Sequence, residues 1–378
     1  MATLHFLNVG PGDCTWISHD DGKNTVIDIC NGRGAFARSR TMMENLFGGL
    51  ATRQPLPGFL GALSTPDQSL QGLLGALGSP PQGLPGTIGA LNAARGVQGN
   101  FGQKDYPVNP IQYLRNFGVN DVFRFILTHP DMDHMDGLEP FFEAFSPTNF
   151  WDTNNNKQID DFTRYEAADW HLYQRLKQGN PIQRLSLHSG DRGKYWNQNE
   201  DGSSGGSGIH ILSPTPQIVA GANQSGDFND CSYVLLFWAA NGKRVIIGGD
   251  SHDVSWEHIL KSHRALVQNV DLLIAPHHGR DSDRSYDFLD VLKPKLTLFG
   301  SARSEHLGYH AWSDRGLEVM TNNQGNCFIA NFSTDIAGKP IIVMYCTNRT
   351  FADAYCSDQF NGRSHENLQV RGWYLKCI

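Results

Sequence analysis

Positive charge is the first thing this sequence has little of. Charged residues make up 18% of the chain and the formal net charge is −7, so no global basic field exists to hold long nucleic acid by its phosphates. Any phosphate-bearing ligand has to be held by local side chains or a bound cation. Long hydrophobic runs are missing too. No stretch approaches ~18 uninterrupted apolar residues, and the N-terminus lacks a basic segment followed by an apolar one. That argues against a membrane span and predicts a soluble, unexported protein. Cysteine is present without a pattern: Cys14, Cys30, Cys231, Cys327, Cys346, Cys356 and Cys377 are odd in number and include no CxxC pair. Reduced thiols in a cytoplasmic protein fit this better than a disulfide framework. Cys30 and Cys327 sit in apolar strand-like runs and are expected in the core.

What is there is chemistry at strand ends. Residues 123–127 form an apolar run that reads as a buried strand. Directly after it stands Thr128-His129-Pro130-Asp131-Met132-Asp133-His134-Met135-Asp136-Gly137. A strand ending in a turn can aim His129, Asp131, Asp133 and His134 into one small volume without help from distant sequence. Imidazole and carboxylate together suit zinc, manganese or iron. A calcium loop fits poorly, because Asp136 stands where the helix-loop-helix calcium motif needs glycine. Asp and His also gather at strand ends and helix N-caps for backbone reasons. Four candidate ligands so close together tip the reading toward metal.

The same arrangement recurs further on. Residues 233–238 and 244–247 read as a hairpin about Asn241-Gly242, and it delivers Gly248-Gly249-Asp250. A carboxylate at the end of a buried strand is costly unless paired or metal-bound, which makes Asp250 a candidate ligand. Residues 271–276 read as another buried strand, ending in His277-His278-Gly279, and at least one of the two histidines is expected to ligate. At the N-terminus, residues 4–9, 14–18 and 25–29 read as antiparallel strands about Gly10-Pro11-Gly12-Asp13 and Asp20-Asp21-Gly22-Lys23. Asp13 and Asp28 either orient a ligating histidine or cap their own turns. Helices are expected over 111–117, 138–145, 165–176 and 286–292, and strands over 209–212, 295–299, 327–332 and 341–346. Residues 213–228 read as a Pro-, Gly- and Asn-rich loop.

With 378 residues the chain can bury a full α/β core. The organisation expected is a domain over 1–346, interrupted by a Gly/Pro-rich insertion over 32–108, with a C-terminal extension over 347–378 that carries no readable pattern. Within the insertion, Gly-x-(Leu/Ile)-Gly-Ala-Leu occurs three times, starting at Gly58, Gly72 and Gly86, fourteen residues apart. Pro57, Pro66, Pro80, Pro81 and Pro85 limit any helix there to about two turns. Each unit is then a short apolar helix plus turn, or the whole is low-complexity chain. An ordered apolar face on residues 55–99 would need cover from the catalytic domain, a protein partner, another copy or a membrane surface.

Taken in order, Leu7-Asn8-Val9-Gly10-Pro11-Gly12-Asp13, the segment from Thr128 through Gly137, Asn229-Asp230-Cys231-Ser232, Gly248-Gly249-Asp250, Ala275-Pro276-His277-His278-Gly279, Tyr309-His310, and Thr321 with Gly325 resemble the metallo-β-lactamase superfamily. Within it they are similar to the hydrolase domain of the competence protein ComEC and its free-standing relatives. The resemblance spans roughly residues 4–31 and 110–330. It implies an α+β fold, an αββα sandwich of two mixed sheets flanked by helices, with metals at one sheet edge, and a nuclease or phosphodiesterase activity. It implies two divalent ions, zinc or manganese. His129 and Asp131 would hold the first, Asp133, His134 and one of His277 or His278 the second, with Asp250 bridging. Asp133 and Asp250 are the candidate catalytic carboxylates. Asn229, Ser232 and His310 are candidates for phosphate contact or leaving-group protonation. The sequence departs from most binuclear members in having Asp131 where they have histidine, and Asn229-Asp230-Cys231-Ser232 where they supply a further one. Oxygen-rich ligation of that kind moves preference from zinc toward manganese.

Substrate is less constrained, since metal-activated hydroxide also opens lactones, thioesters and phosphocholine esters. The acidic balance argues against long duplex DNA. Arg280, Arg284 and Arg303 lie near the site, but Asp281, Asp283 and Glu305 alternate with them, so short or single-stranded nucleic acid or a nucleotide fits better. The reading from a different class is an interaction protein on a hydrolase scaffold, with a structural metal and a partner bound through the insertion.

Overall fold

Strand after strand in this chain is apolar on both faces, and the architecture covers both. The computed structural model describes residues 1–34, 99–162, 164–282, 284–301 and 306–378. The three repeats, Asp283, Arg303 and Glu305 lie outside the described residues. In chain order the elements are β1 (Thr3–Phe6), β2 (Thr15–Ser18), β3 (Asn24–Ile27), α1 (Pro110–Asn116), β4 (Arg124–Ile126), α2 (Leu138–Phe145), β5 (Asn149–Trp151), α3 (Ala167–Lys177) and β6 (Gln183–Leu185). There follow β7 (Ile209–Ser213), α4 (Pro216–Ser225), β8 (Val234–Trp238), β9 (Arg244–Ile247), α5 (Asp253–Ser262), β10 (Leu272–Ile274), α6 (Phe288–Leu292), β11 (Leu296–Phe299), α7 (Tyr309–Ser313) and β12 (Val319–Thr321). The chain closes with β13 (Phe328–Thr334), β14 (Pro340–Cys346), α8 (Arg349–Phe360), β15 (Glu366–Asn367) and β16 (Gly372–Cys377).

Two mixed sheets result. The larger runs β15-β16-β14-β13-β1-β2-β3-β4-β5-β6, antiparallel as far as β3 and parallel from β3 to β6. The smaller runs β12-β11-β10-β9-β8-β7, antiparallel from β7 to β9 and parallel from β9 to β12. Alternate residues of each strand face the gap between the sheets: Leu4, Phe6, Ile17, Ile27 and Ile126 on one side meet Ile211, Leu235, Phe237, Val245, Ile247 and Ile274 on the other. The intervening residues face outward onto helices. Val26, Phe125 and Phe150 pack on Leu114 of α1, Phe141 of α2 and Tyr173 of α3. Leu236, Ile246 and Leu273 pack on Trp256 and Ile259 of α5, Leu289 of α6 and Trp312 of α7. The order is helix, sheet, sheet, helix, the αββα sandwich that the resemblance implies. Individual strands of three to five residues have little stability alone. Burial of each Leu, Ile or Phe between layers, worth roughly 1.5–3 kcal/mol, holds them in place.

Two segments differ from the sequence reading. Residues 216–225, expected as loop, form α4: the Thr215 side chain accepts from the Ile218 N–H, Pro216 opens the first turn, and Gly226 ends the helix at φ +80°. Both caps were in the sequence, masked by the Gly and Asn within the helix itself. The last thirty residues, which had no readable pattern, form α8 and β16, and β16 pairs with β14. No described helix is long and apolar enough to cross a membrane. Cys30 and Cys327 are buried, as expected.

Candidate metal centre

Parallel pairing within both sheets brings their carboxyl ends to one edge, where strand-end loops converge. The loop after β4 carries His129, Asp131, Asp133 and His134. That after β9 carries Asp250, and that after β10 carries His277 and His278. From the larger sheet come Asp13, in the β1–β2 turn, and Asp28, just beyond β3. Backbone hydrogen bonds lock these loops together: Tyr233 N–H donates to Thr128 O at 2.9 Å between the sheets, His277 N–H to Gly249 O at 2.8 Å within the smaller sheet's loops, and Ile29 N–H to His134 O at 3.0 Å within the larger sheet's. Close approach fixes two glycines. A Cβ at Gly12 would lie 1.8 Å from the carbonyl oxygen of Asp133, and one at Gly279, at φ +80°, would lie 2.4 Å from the ring of Phe299.

Histidines and carboxylates from these loops meet around Asp250. His134 Nε2 lies 3.4 Å from Asp250 Oδ1, His129 Nε2 3.8 Å from Asp250 Oδ2, and His278 Nε2 3.6 Å from Asp250 Oδ2 and 3.8 Å from Asp133 Oδ2. Three overlapping triads result, His129 with His134 and Asp250, Asp133 with His134 and His278, and Asp13 with His278 and Asp250, each with ligand atoms within 4.8 Å of one another. Asp250 belongs to the first and the third and lies near His134 and His278 of the second. Asp131 stands at the margin, its Oδ1 3.7 Å from His129 Nε2 but 2.5 Å from the ammonium of Lys157.

Hydrogen bonds on the far side of each ring determine which nitrogen faces inward. Asp28 Oδ2 accepts from His134 Nδ1 at 2.9 Å and from the Thr128 hydroxyl at 2.6 Å, and its Oδ1 accepts from the Thr128 N–H at 2.7 Å. Since the Thr128 proton is committed to Asp28, the hydroxyl oxygen accepts from His129 Nδ1, 3.2 Å away. Asp13 Oδ1 lies 2.9 Å from His278 Nδ1, an ion-pair contact that is off line for a hydrogen bond but favours the proton on that nitrogen. All three rings therefore present a bare Nε2 to the cluster. His129 Nε2, His134 Nε2 and Asp250 Oδ1 are buried and lack a hydrogen-bond partner, a condition that costs free energy unless a cation supplies the contact. The donor set, imidazoles beside carboxylates, suits a divalent metal, which would take the place of the protons on the rings.

Electrostatics point the same way. Burial opposes ionisation of Asp250, yet His278, His134 and His129 hold its carboxyl well below the usual range. Burial likewise opposes charge on His134, and Asp250 and Asp28 overcome it and push the imidazole well above 6.5. His278 is burial-depressed but lifted to about 9 by Asp13 and Asp250. His277 differs: burial takes it down to about 4. Buried carboxylates thus dominate the site and draw positive charge from whatever supplies it.

The remaining candidates are outside the triads. Ser232 is fully buried and its hydroxyl accepts the Asp250 N–H at 3.3 Å, which holds the backbone that carries that carboxylate. Asn229 sits in a helical turn capped by Asp227. His310 is half exposed and pairs with Asp281 at 3.8 Å. Sequence reasoning missed Thr128 as the relay between Asp28 and His129. It also missed Lys157, which follows three asparagines in a polar stretch with no signal of its own.

No family model matches the chain, and neither does any curated protein. Among solved structures the chain is similar to a diphosphatase of the PhnP family, at 13% identity and TM-score 0.37, covering 85% of this chain and 94% of that one. It is similar also to CmlA, a diiron β-hydroxylase from Streptomyces venezuelae, at 13% identity and TM-score 0.38, covering 84% of this chain and 52% of that one. The chain thus spans about half the length of CmlA. Likeness at these scores fixes no residue role, and the centre stands on its own geometry.

Proposed function

We propose that this chain is a metal-dependent phosphodiesterase or nuclease acting on short or single-stranded nucleic acid or a nucleotide. Two divalent ions, zinc or manganese, would be held by His129, Asp131, Asp133, His134, Asp250 and His278. The observation that carries this is the convergence of bare, buried Nε2 atoms of His129 and His134 on Asp250. A divalent metal held by these residues would supply Lewis acidity for activating water near neutral pH.

The chain's own groups account for the rest. Asp250, a member of two triads, is held ionised by His278, His134 and His129 against its burial and would serve as a metal-holding carboxylate. Asp28, Thr128 and Asp13 fix the three rings with Nε2 inward. Lys157 and Arg284 place positive charge at two points of the margin, through Asp131 at 2.5 Å and His277 at 2.9 Å, which supports an anionic ester over a neutral lactone. Among the described residues, neither the nearby hydroxyl nor the nearby thiol is placed to act as a nucleophile. Ser232 is occupied with Asp250, and burial pushes the Cys231 thiol up to about 11. The sequence resemblance supports the same substrate class.

Purified protein loaded with zinc or manganese, offered labelled DNA, RNA, cyclic nucleotides and a lactone, tests the reading. Metal-dependent cleavage of a phosphodiester is expected. Hydrolysis of the lactone alone overturns it.

A further inference from the structure

His277 and His278 are neighbours and both aim Nε2 at Asp250, yet the groups behind their Nδ1 atoms are opposite in kind. Both sit in the left-handed region, at φ +53° and +59°. His278, with Asp13 behind Nδ1, faces the cluster through a bare Nε2. For His277 the partner is Arg284, whose Nη2 lies 2.9 Å from His277 Nδ1. A guanidinium has donors only, so Nδ1 must accept. A neutral imidazole that accepts at Nδ1 carries its proton on Nε2 and has no lone pair there for a metal. His277 Nε2 is nonetheless aimed at the centre, 3.8 Å from Asp250 Oδ2.

Arg284 cannot easily swing away from this duty. Its Nη1 donates to Ser251 O at 2.5 Å and its Nε to Ser282 Oγ at 2.9 Å. Reach completes the picture: the His277 side chain is 19% exposed, against 2% for His278, so an incoming ligand meets His277.

We propose that His277 is a substrate-contacting hydrogen-bond donor and not a metal ligand, its Nε2–H directed by Arg284 at an anionic oxygen of the phosphoryl group bound at the centre. The identity of that ligand rests on the function proposed above, whereas the distinction between donor and ligand does not. A ring whose tautomer is set in advance is what a preorganised charge-stabilising donor requires.

The test uses the full-length protein, loaded with zinc, as wild type, His277→Ala, His277→Gln and His278→Ala. Zinc per chain should be unchanged in His277→Ala and His277→Gln and reduced in His278→Ala. Long-range proton–nitrogen NMR should show His277 protonated at Nε2 and bare at Nδ1 in the zinc-loaded protein. Inorganic phosphate, the probe for the anion, should bind His277→Ala about 10- to 100-fold more weakly than wild type, the size of a hydrogen bond to a charged group. His277→Gln, which restores an N–H donor, should recover part of that loss. Zinc lost from His277→Ala, a bare Nε2 on His277, or unchanged phosphate affinity overturns the proposal. Should the zinc protein bind phosphate this way and cleave no phosphodiester, the substrate reading falls while the role of His277 stands.

Discussion

Asp28 Oδ2 stands 2.9 Å from His134 Nδ1, with both groups fully enclosed, and the same oxygen takes the proton of Thr128 at 2.6 Å. One carboxylate thereby sets the orientation of two imidazoles, His134 directly and His129 through the threonine. Asp28 sits at φ +57°, which Asn tolerates and Ala does not. Asp28→Asn should keep the fold while losing the charge behind His134. Metal affinity should fall about 10- to 100-fold, as for other groups that buttress ligating histidines. Isothermal titration with zinc checks it, and an affinity equal to wild type counts against the relay.

Lys157 competes with metal for Asp131. Its ammonium lies 2.5 Å from Oδ1 of a carboxylate whose other near neighbour is His129. Removing it in Lys157→Met should free Asp131 and tighten metal on the His129 side by several fold, in line with the roughly 0–1 kcal/mol that a solvent-screened ion pair contributes. A competitive chelator titration reads the change, and weaker binding would show that Lys157 supports the site.

Gly12 is where the β1–β2 turn meets the ligand loop. Any side chain there collides with the Asp133 carbonyl, 1.8 Å from the position of a Cβ, and neither partner is a flexible side-chain end. Gly12→Ala should cost about 1–3 kcal/mol, as overpacking does, and should displace Asp133. Denaturant unfolding of the metal-free protein gives the stability term, and metal analysis gives the displacement.

Far from the centre, Asp271 accepts from Lys295 at 2.7 Å and Lys243 at 2.9 Å. Burial alone would raise its carboxyl, but these ammonium groups and the Arg244 N–H more than offset that and hold it below 3.8. A depressed folded-state pKa adds stability above the unfolded-state value, and that stability disappears as pH falls through the folded-state value. Asp271→Asn should therefore be less stable than wild type at pH 7. The gap should narrow as pH drops below about 4, the unfolded-state carboxylate range. A gap independent of pH would mean the loss is one of packing.

Much of this was legible in the sequence because strand, turn and ligand are contiguous. The run before His129 and the apolar stretches before Asp250 and His277 each announce a strand that ends on a polar group, and each lies where it was expected. Asp13 and Asp28 could be flagged as partners of ligands or as turn caps. Only the tertiary structure shows Asp28 under His134 and Asp13 beside His278, contacts made across more than 100 residues of chain. The different surroundings of His277 and His278 were likewise beyond reach, because they depend on a left-handed turn and on Arg284, seven residues further along the same loop, folding back onto His277 Nδ1. Strands β5 and β6 went unread for a simpler reason. At three residues each they carry no alternation to detect, and parallel pairing to their neighbours sustains them.

The most direct measurement is elemental analysis of divalent metal per chain in wild type and Asp250→Asn, purified side by side. Wild type should hold close to two ions and Asp250→Asn far less than one, with both chains folded by circular dichroism. A wild-type chain that retains no metal after loading, or an Asp250→Asn chain that keeps it all, would contradict a centre built on His129, His134, His278 and Asp250.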